Sequence, residues 1–167
     1  ITGADGVGYS SRRSRDLLVR GEPRQAAALL GREWEIEGRV ETGRRLGNTI
    51  GFPTANVALD EYLRPAYGVY AVHCGVEEGG VTRWFDGAAN FGKRPTVDGH
   101  TEILEAHLFD FAGDLYGRSL RVAFVERLRA EKKFDGLDAL KAQIAEDCRA
   151  ARALLAERPR GAATDRT

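Results

Sequence analysis

The feature that most limits the possible folds of this chain is a series of short alternating segments separated by turn residues. Within the segment 102–111, Leu104, Ala106 and Leu108 fall on one face and Glu105 on the other, as in a half-buried strand. Further strands are predicted at 34–40, 54–59, 67–76, 81–90 and 119–128. Short strands joined by turns in this way indicate a mainly β fold, a six-stranded antiparallel barrel of the Greek-key type.

Two stretches have helical rather than strand periodicity. Between Ser11 and Leu30, two short helices are predicted on either side of Gly21-Glu22-Pro23. A longer helix is predicted to begin after Asp135, which can cap it, with Asp138 in its first turn. We expect this helix to lie against the barrel, because its apolar positions form one stripe: Leu137, Leu140, Ile144, Cys148, Ala151 and Leu155.

These patterns predict three parts: an N-terminal connector at 1–31, the barrel with its C-terminal helix at 32–157, and a disordered tail at 158–167. The chain of 167 residues is long enough for one domain with a proper core. Its 25 basic and 25 acidic residues balance, so nothing favours nucleic acid or an anionic membrane as a partner. We expect a cytoplasmic monomer whose two cysteines, Cys74 and Cys148, are reduced.

A glycine-rich stretch precedes the second predicted strand. Gly43, Gly47 and Gly51 recur every four residues, and their backbone N–H groups could cradle phosphate. The alternative, that such a turn is purely structural, stays open on pattern alone. Thr54 and Asn56 follow in an extended segment and share a face, where their oxygen atoms could bind a hard cation.

Five sequence blocks in fixed order carry a family resemblance over roughly residues 31–155. They are Leu46-Gly47 with Gly51-Phe52-Pro53-Thr54-Ala55-Asn56, then Tyr67 to Ala71, then Ala89 to Thr96, then Glu105 to Asp110 running into Asp114 to Gly117, and finally Arg127 to Arg129 with Lys133-Phe134. Together they resemble the signature of the riboflavin kinases, including the kinase module of bacterial bifunctional FAD synthetases. The segment 16–31 is similar to the connector that follows the nucleotidyltransferase domain in those bifunctional enzymes.

The resemblance implies transfer of the γ-phosphate of ATP to the ribityl 5′-hydroxyl of riboflavin, giving FMN and ADP. It implies Glu105 as the catalytic base, Thr54 and Asn56 as ligands of Mg²⁺, and a flavin site at Arg129, Lys133 and Phe134. The residues implied for ATP and its phosphates are Gly43, Leu46, Gly47, Gly51, Pro53, Thr54, Asn90 and Gly92, the last two in a loop near the nucleotide.

Several alternatives remain open at this point. Pattern alone favours Glu105 as a solvent-facing glutamate, and Phe134 serves equally well as a hydrophobic residue flanking the last helix. The chain could also be a flavin-binding module without catalysis, or the kinase half of a bifunctional enzyme. Arg12 stands where the bifunctional enzymes have a threonine, so we do not expect this chain alone to adenylylate FMN.

Overall fold

The computed structural model describes residues 17–30, 33–41, 54–59 and 65–158. One helical turn at 17–19 precedes helix α1 (Pro23–Leu30). The remaining elements follow in chain order: strands β1 (Trp34–Glu41), β2 (Ala55–Val57), β3 (Gly68–Glu78), β4 (Val81–Thr96), β5 (Gly99–Leu108) and β6 (Ser119–Arg129), and helix α2 (Leu137–Glu157).

The six strands close into an antiparallel barrel, as the alternating segments predicted. The strands are arranged in the order β1-β2-β5-β4-β3-β6, and β6 pairs back with β1. The barrel is filled by every second residue of each strand, and its largest buried rings are Tyr70, Phe91 and Phe124. The Tyr70 and Phe124 rings meet edge to face with centroids 4.9 Å apart, an arrangement that aromatic pairs favour.

Helix α2 covers part of the outer surface of the barrel, which confirms its predicted position. Ala151 and Leu155 of the helix pack on Ala71 and Ala88, whose small side chains allow close approach. Strand β3 is therefore buried on both faces, from Gly68 to Val76. This covered surface explains why β3 reads as a continuous apolar run instead of an alternating one.

The start of α2 differs from the prediction. The residue at the N-cap position is Gly136, and no side chain of the described residues caps the helix, so the predicted cap at Asp135 is wrong. Asp138 does lie in the first turn. Leu137 begins the predicted stripe but is 51% exposed, because the helix reaches the barrel only further along, where Ala151 and Leu155 are buried.

The segment 90–96 was predicted as a loop, and this is wrong: β4 continues through it to Thr96 and pairs with β5 along its length. A turn at 97–98 then leads directly into β5. Pro95 is compatible with the strand because the pairing of β3 with β4 ends at Gly68 opposite Phe91, so no described strand pairs with β4 at Pro95 on that side. At its other end β5 stops at Leu108 instead of residue 111, since Asp110 adopts a left-handed conformation with φ 58°.

Both cysteines are free thiols, as predicted. Burial, and secondarily the charge of Asp86, raises the pKa of the Cys74 thiol; burial, and secondarily the charge of Asp147, raises that of Cys148. Only the thiolate is nucleophilic, and Cys74 is fully buried whereas Cys148 is half-buried. We expect iodoacetamide to modify Cys148 of the folded protein at least about tenfold faster than Cys74. Peptide mass spectrometry measures this, and equal rates without denaturant would contradict the buried position of Cys74.

Candidate active site

Residues from five strands form one row across the outer face of the barrel. Asn56 on β2 lies opposite Glu105 on β5, and Glu105 lies opposite Asn90 on β4. The row continues from Asn90 to Val69 on β3 and from Val69 to Arg129 on β6. We call these five residues the cross-strand row. Neighbouring strands lie about 4.8 Å apart, so the three polar residues at its β2 end span about 10 Å.

Glu105 is the central residue of this polar part of the row. Leu104 and Ala106 on either side of it are fully buried in the barrel core, so the Glu105 carboxylate points out of the barrel, as the alternation predicted. The residue is half-buried. A carboxylate between two amide side chains on a rigid sheet is well placed to accept a proton from a substrate hydroxyl.

Thr54 and Asn56 supply the oxygen atoms that were predicted to bind a divalent cation. Thr54 immediately precedes β2, and Asn56 is the middle residue of that strand, between Glu41 on β1 and Glu105 on β5. Hydroxyl and amide oxygens beside a carboxylate are hard donors of the kind that Mg²⁺ prefers. In the described part of the chain, no group of three or more His, Cys, Asp or Glu side chains could hold a metal by itself.

Asn90 was predicted to lie in a loop near the nucleotide, but in the structure it lies next to Glu105, the predicted base. It is the direct cross-strand partner of Glu105. Its side-chain Oδ1 atom is buried and accepts no hydrogen bond from any described residue. A buried acceptor without a donor is unfavourable by about 1–3 kcal/mol, and a substrate hydroxyl bound here would supply the missing donor.

The other predicted nucleotide residues divide into two groups. Gly92 lies on β4 two residues after Asn90, in the row's immediate neighbourhood. The remaining five lie outside the described residues, and their assignment stays a prediction: Gly43, Leu46, Gly47, Gly51 and Pro53.

The segment Ala130–Gly136, which we call the strap, connects β6 to α2 beside the Arg129 end of the cross-strand row. The guanidinium of Arg129 lies 5.8 Å from the ring centroid of Phe134, and the Lys132 ammonium lies 5.6 Å from it. Lys133 is exposed and Phe134 is half-buried. The structure therefore brings two of the three predicted flavin residues together, at distances typical of cation–π contacts.

Arg129 has a structural role that the sequence did not reveal. Its Nε and Nη2 atoms donate to the two carboxylate oxygens of Asp147 on α2, each at 2.8 Å, and Gln143 donates to the same carboxylate at 2.9 Å. Asp147 is only 6% exposed. This bidentate pair fixes the end of β6 to the helix, so the strap begins from a rigid point.

Comparison with known proteins identifies the family. The family described as "Flavokinase: Riboflavin kinase" matches residues 30–155. The bifunctional riboflavin kinase/FMN adenylyltransferase of Haemophilus influenzae is 44% identical over 149 residues, which are 89% of this chain and 47% of that protein. This chain belongs to the riboflavin kinase family. It spans about half the length of the curated relatives that it matches.

Two solved structures share the fold. A crystal structure described as the macrolide-efflux protein from Streptococcus pneumoniae aligns with TM-score 0.78 at 36% identity, over 85% of this chain and 46% of that one. The riboflavin kinase from Trypanosoma brucei aligns with TM-score 0.57 at 25% identity, over 75% of this chain and 78% of that one. In the described part of this chain, no helix combines the length and the apolar character needed to cross a membrane.

Proposed function

We propose that this chain catalyses phosphoryl transfer from ATP to the ribityl 5′-hydroxyl of riboflavin, with FMN and ADP as products. The observation that carries the proposal is the position of Glu105 between Asn56 and Asn90 in the cross-strand row. One proton acceptor, one pair of oxygen ligands and one buried amide acceptor then lie within about 10 Å on a rigid surface. Membership of the riboflavin kinase family supports the assignment of substrates.

The carboxylate of Glu105 accepts the proton of the 5′-hydroxyl while the hydroxyl oxygen attacks the γ-phosphorus of ATP. The bond between that phosphorus and the β,γ-bridging oxygen breaks, and ADP leaves. Phosphoryl transfer depends mainly on positioning and charge neutralisation, so a single carboxylate is sufficient as a base. Three paired strands hold Asn56, Glu105 and Asn90 at fixed spacing, which lowers the entropic cost of aligning the hydroxyl.

Thr54 and Asn56 are the residues that would hold Mg²⁺. Bound there, the ion would neutralise charge on the β- and γ-phosphates of ATP. The protein's own contribution is to present two neutral oxygens next to the base. Neutral ligands add no negative charge of their own, so the ion keeps its positive charge for the nucleotide phosphates.

Asn56→Ala should raise the Mg²⁺ concentration needed for half-maximal activity by about tenfold, because it removes one of two protein oxygens from the ion. The measurement is a Mg²⁺ titration of FMN formation at saturating ATP and riboflavin. The control is Thr82→Ala, at the start of β4 and far along the strand from the row, which should leave the Mg²⁺ requirement unchanged. An unchanged Mg²⁺ requirement in Asn56→Ala would contradict this ligand assignment.

At the opposite end of the row, Phe134 offers an aromatic face for the isoalloxazine ring. Arg129 supports this end through its ion pair with Asp147. The proposal therefore has the phosphate and metal at the β2 end and the flavin at the β6 end, with the ribityl chain between them along the row.

The test of this proposal is chromatographic. The purified protein is incubated with riboflavin, ATP and MgCl₂, and FMN is quantified, with an EDTA-treated sample as control. Metal-dependent FMN formation supports the kinase. Riboflavin that binds but is not converted would instead support the alternative, a flavin-binding module without catalysis.

A further inference from the structure

Strand β4 extends beyond the end of its neighbour β3. The pairing of β3 with β4 ends at Gly68 opposite Phe91, whereas the pairing of β4 with β5 continues to Thr96 opposite Gly99. On the β3 side, no strand among the described residues pairs with the backbone of β4 from Gly92 onward. Backbone N–H groups at such an edge need another acceptor.

The side chain of Glu131 in the strap supplies that acceptor. Its carboxylate accepts a hydrogen bond from the backbone N–H of Lys93. The same carboxylate occupies the space that a side chain at position 92 would need. A Cβ atom at Gly92 would overlap the carboxylate and would lie only 2.7 Å from its Oε1 atom. Gly92 is thus the residue whose missing side chain makes room for Glu131.

The electrostatic surroundings agree with this contact. Burial of the carboxylate raises the pKa of Glu131, while the Lys93 N–H and the charges of Arg129 and Lys93 act in the opposite direction. Packing on Gly92 therefore removes water from the carboxylate, although the residue as a whole is exposed. A carboxylate loses water in this way only where it is held against the protein surface.

The strap contains no helix or strand, so side-chain contacts must hold it in place. Immediately before the strap, Arg129 is fixed to Asp147 of α2. Glu131, the second residue of the strap, then attaches it to β4, two residues from Asn90 in the cross-strand row. Phe134 follows three residues later, so its position depends on both attachments.

We propose that Glu131 is a positioning residue for the flavin: by binding the edge of β4 at Gly92 and Lys93, it holds the strap and Phe134 at the site. The proposal rests on the proposed function, because it assigns the flavin to the strap. Under this proposal the role of Gly92 is to accommodate the Glu131 carboxylate and not to bind ATP.

Two substitutions disrupt this contact from opposite sides. Glu131→Ala removes the carboxylate, and Gly92→Ala displaces it with a methyl group. Because the displaced atoms are at the tip of the flexible Glu131 side chain, the fold should tolerate Gly92→Ala. Each variant should raise the KM for riboflavin about tenfold, the effect of losing one hydrogen bond to a charged group, with kcat and the KM for ATP within about twofold of wild type. Glu131→Gln keeps an acceptor oxygen and should restore part of the affinity.

The double variant Gly92→Ala/Glu131→Ala tests whether the two single variants disrupt the same contact or two independent contacts. Because both changes remove the same contact, the double variant should have the riboflavin KM of either single variant. Matched controls in the strap are Asp135→Ala, an exposed acid, and Gly136→Ala, whose Cβ would meet no described atom within 4 Å. Full additivity of the two changes, or a rise in the KM for ATP with Gly92→Ala, would overturn the proposal.

Hydrogen exchange of the Lys93 amide tests the contact without any catalytic assay. Glu131→Ala should accelerate exchange of this amide about tenfold relative to wild type, whereas Asp135→Ala should leave it unchanged. Unchanged exchange in Glu131→Ala would refute the contact itself. Faster exchange in a protein that forms no FMN would leave the contact supported and refute only the proposed function.

Discussion

Replacing Glu105 with glutamine should lower the kcat for FMN formation by about 10²–10⁴-fold, the usual contribution of a positioned general base. Glutamine has nearly the same shape and keeps the hydrogen-bonding capacity of the site, but its amide cannot accept the proton of the 5′-hydroxyl. The neighbouring core residues Leu104 and Ala106 are unaffected, so the barrel should stay folded. The measurement is the initial rate of FMN formation at saturating ATP, Mg²⁺ and riboflavin.

The matched control is Glu77→Gln, an exposed glutamate near the far end of β3. It should leave kcat within about twofold of wild type, as expected for a surface change away from the site. Both variants should give the wild-type circular dichroism spectrum. A Glu105→Gln variant with the wild-type rate would exclude Glu105 as the base, and the role of the cross-strand row would have to be reassigned.

Asp147→Ala should lower the free energy of unfolding by about 3 kcal/mol, because it leaves the Arg129 guanidinium without its bidentate partner against the barrel. The Gln143 amide also loses its acceptor in this variant. Since the strap follows directly after Arg129, we expect the KM for riboflavin to rise as well, with kcat less affected. Urea denaturation measures the stability, and steady-state kinetics measures the KM.

Arg129→Ala/Asp147→Ala should be more stable than Asp147→Ala alone, because removal of both partners leaves no unpaired charge. The control pair is Arg152 with Asp110, where both side chains are mostly exposed. Arg152→Ala should change stability by at most about 1 kcal/mol, as is usual for surface ion pairs. If Asp147→Ala were no more destabilising than Arg152→Ala, the anchoring role of the buried pair would be refuted.

Much of the barrel could be predicted from local patterns, because strand alternation reflects which face is buried. The clean alternation around Glu105 in β5 correctly predicted that Glu105 lies on the outer face of the barrel, since Leu104 and Ala106 are core residues. The same reasoning succeeds for the later part of α2, where Cys148, Ala151 and Leu155 of the apolar stripe pack on the barrel. Each of these features depends on residues close together in sequence.

Features that depend on contacts between residues far apart in the sequence could not be predicted from local patterns. Gly92 and Pro95 have the composition of a loop, yet pairing with β5 extends β4 through both. Gly92 is explained by Glu131, which is 39 positions later in the sequence and becomes its neighbour only in the folded barrel. No local pattern connects the two residues.

Asp147 is an intermediate case. It lies on the buried side of α2 beside the apolar stripe, three residues after Ile144 and four before Ala151. Acidic residues are almost never buried unless they are paired, so this position was a signal that a basic partner lies on the barrel. The sequence could not show which arginine that is, because the choice of Arg129 depends on where the helix crosses β6.

In the proposed mechanism, the γ-phosphate of ATP passes directly to riboflavin while Glu105 accepts the proton of the 5′-hydroxyl. The most direct test of this mechanism uses ATP radiolabelled in the γ-phosphate, with wild-type protein and Glu105→Gln compared in the presence of riboflavin and Mg²⁺. The account predicts that the label appears in FMN with wild-type protein and is almost absent from FMN with the variant. Label released only as inorganic phosphate, or equal labelling of FMN by both proteins, would contradict it.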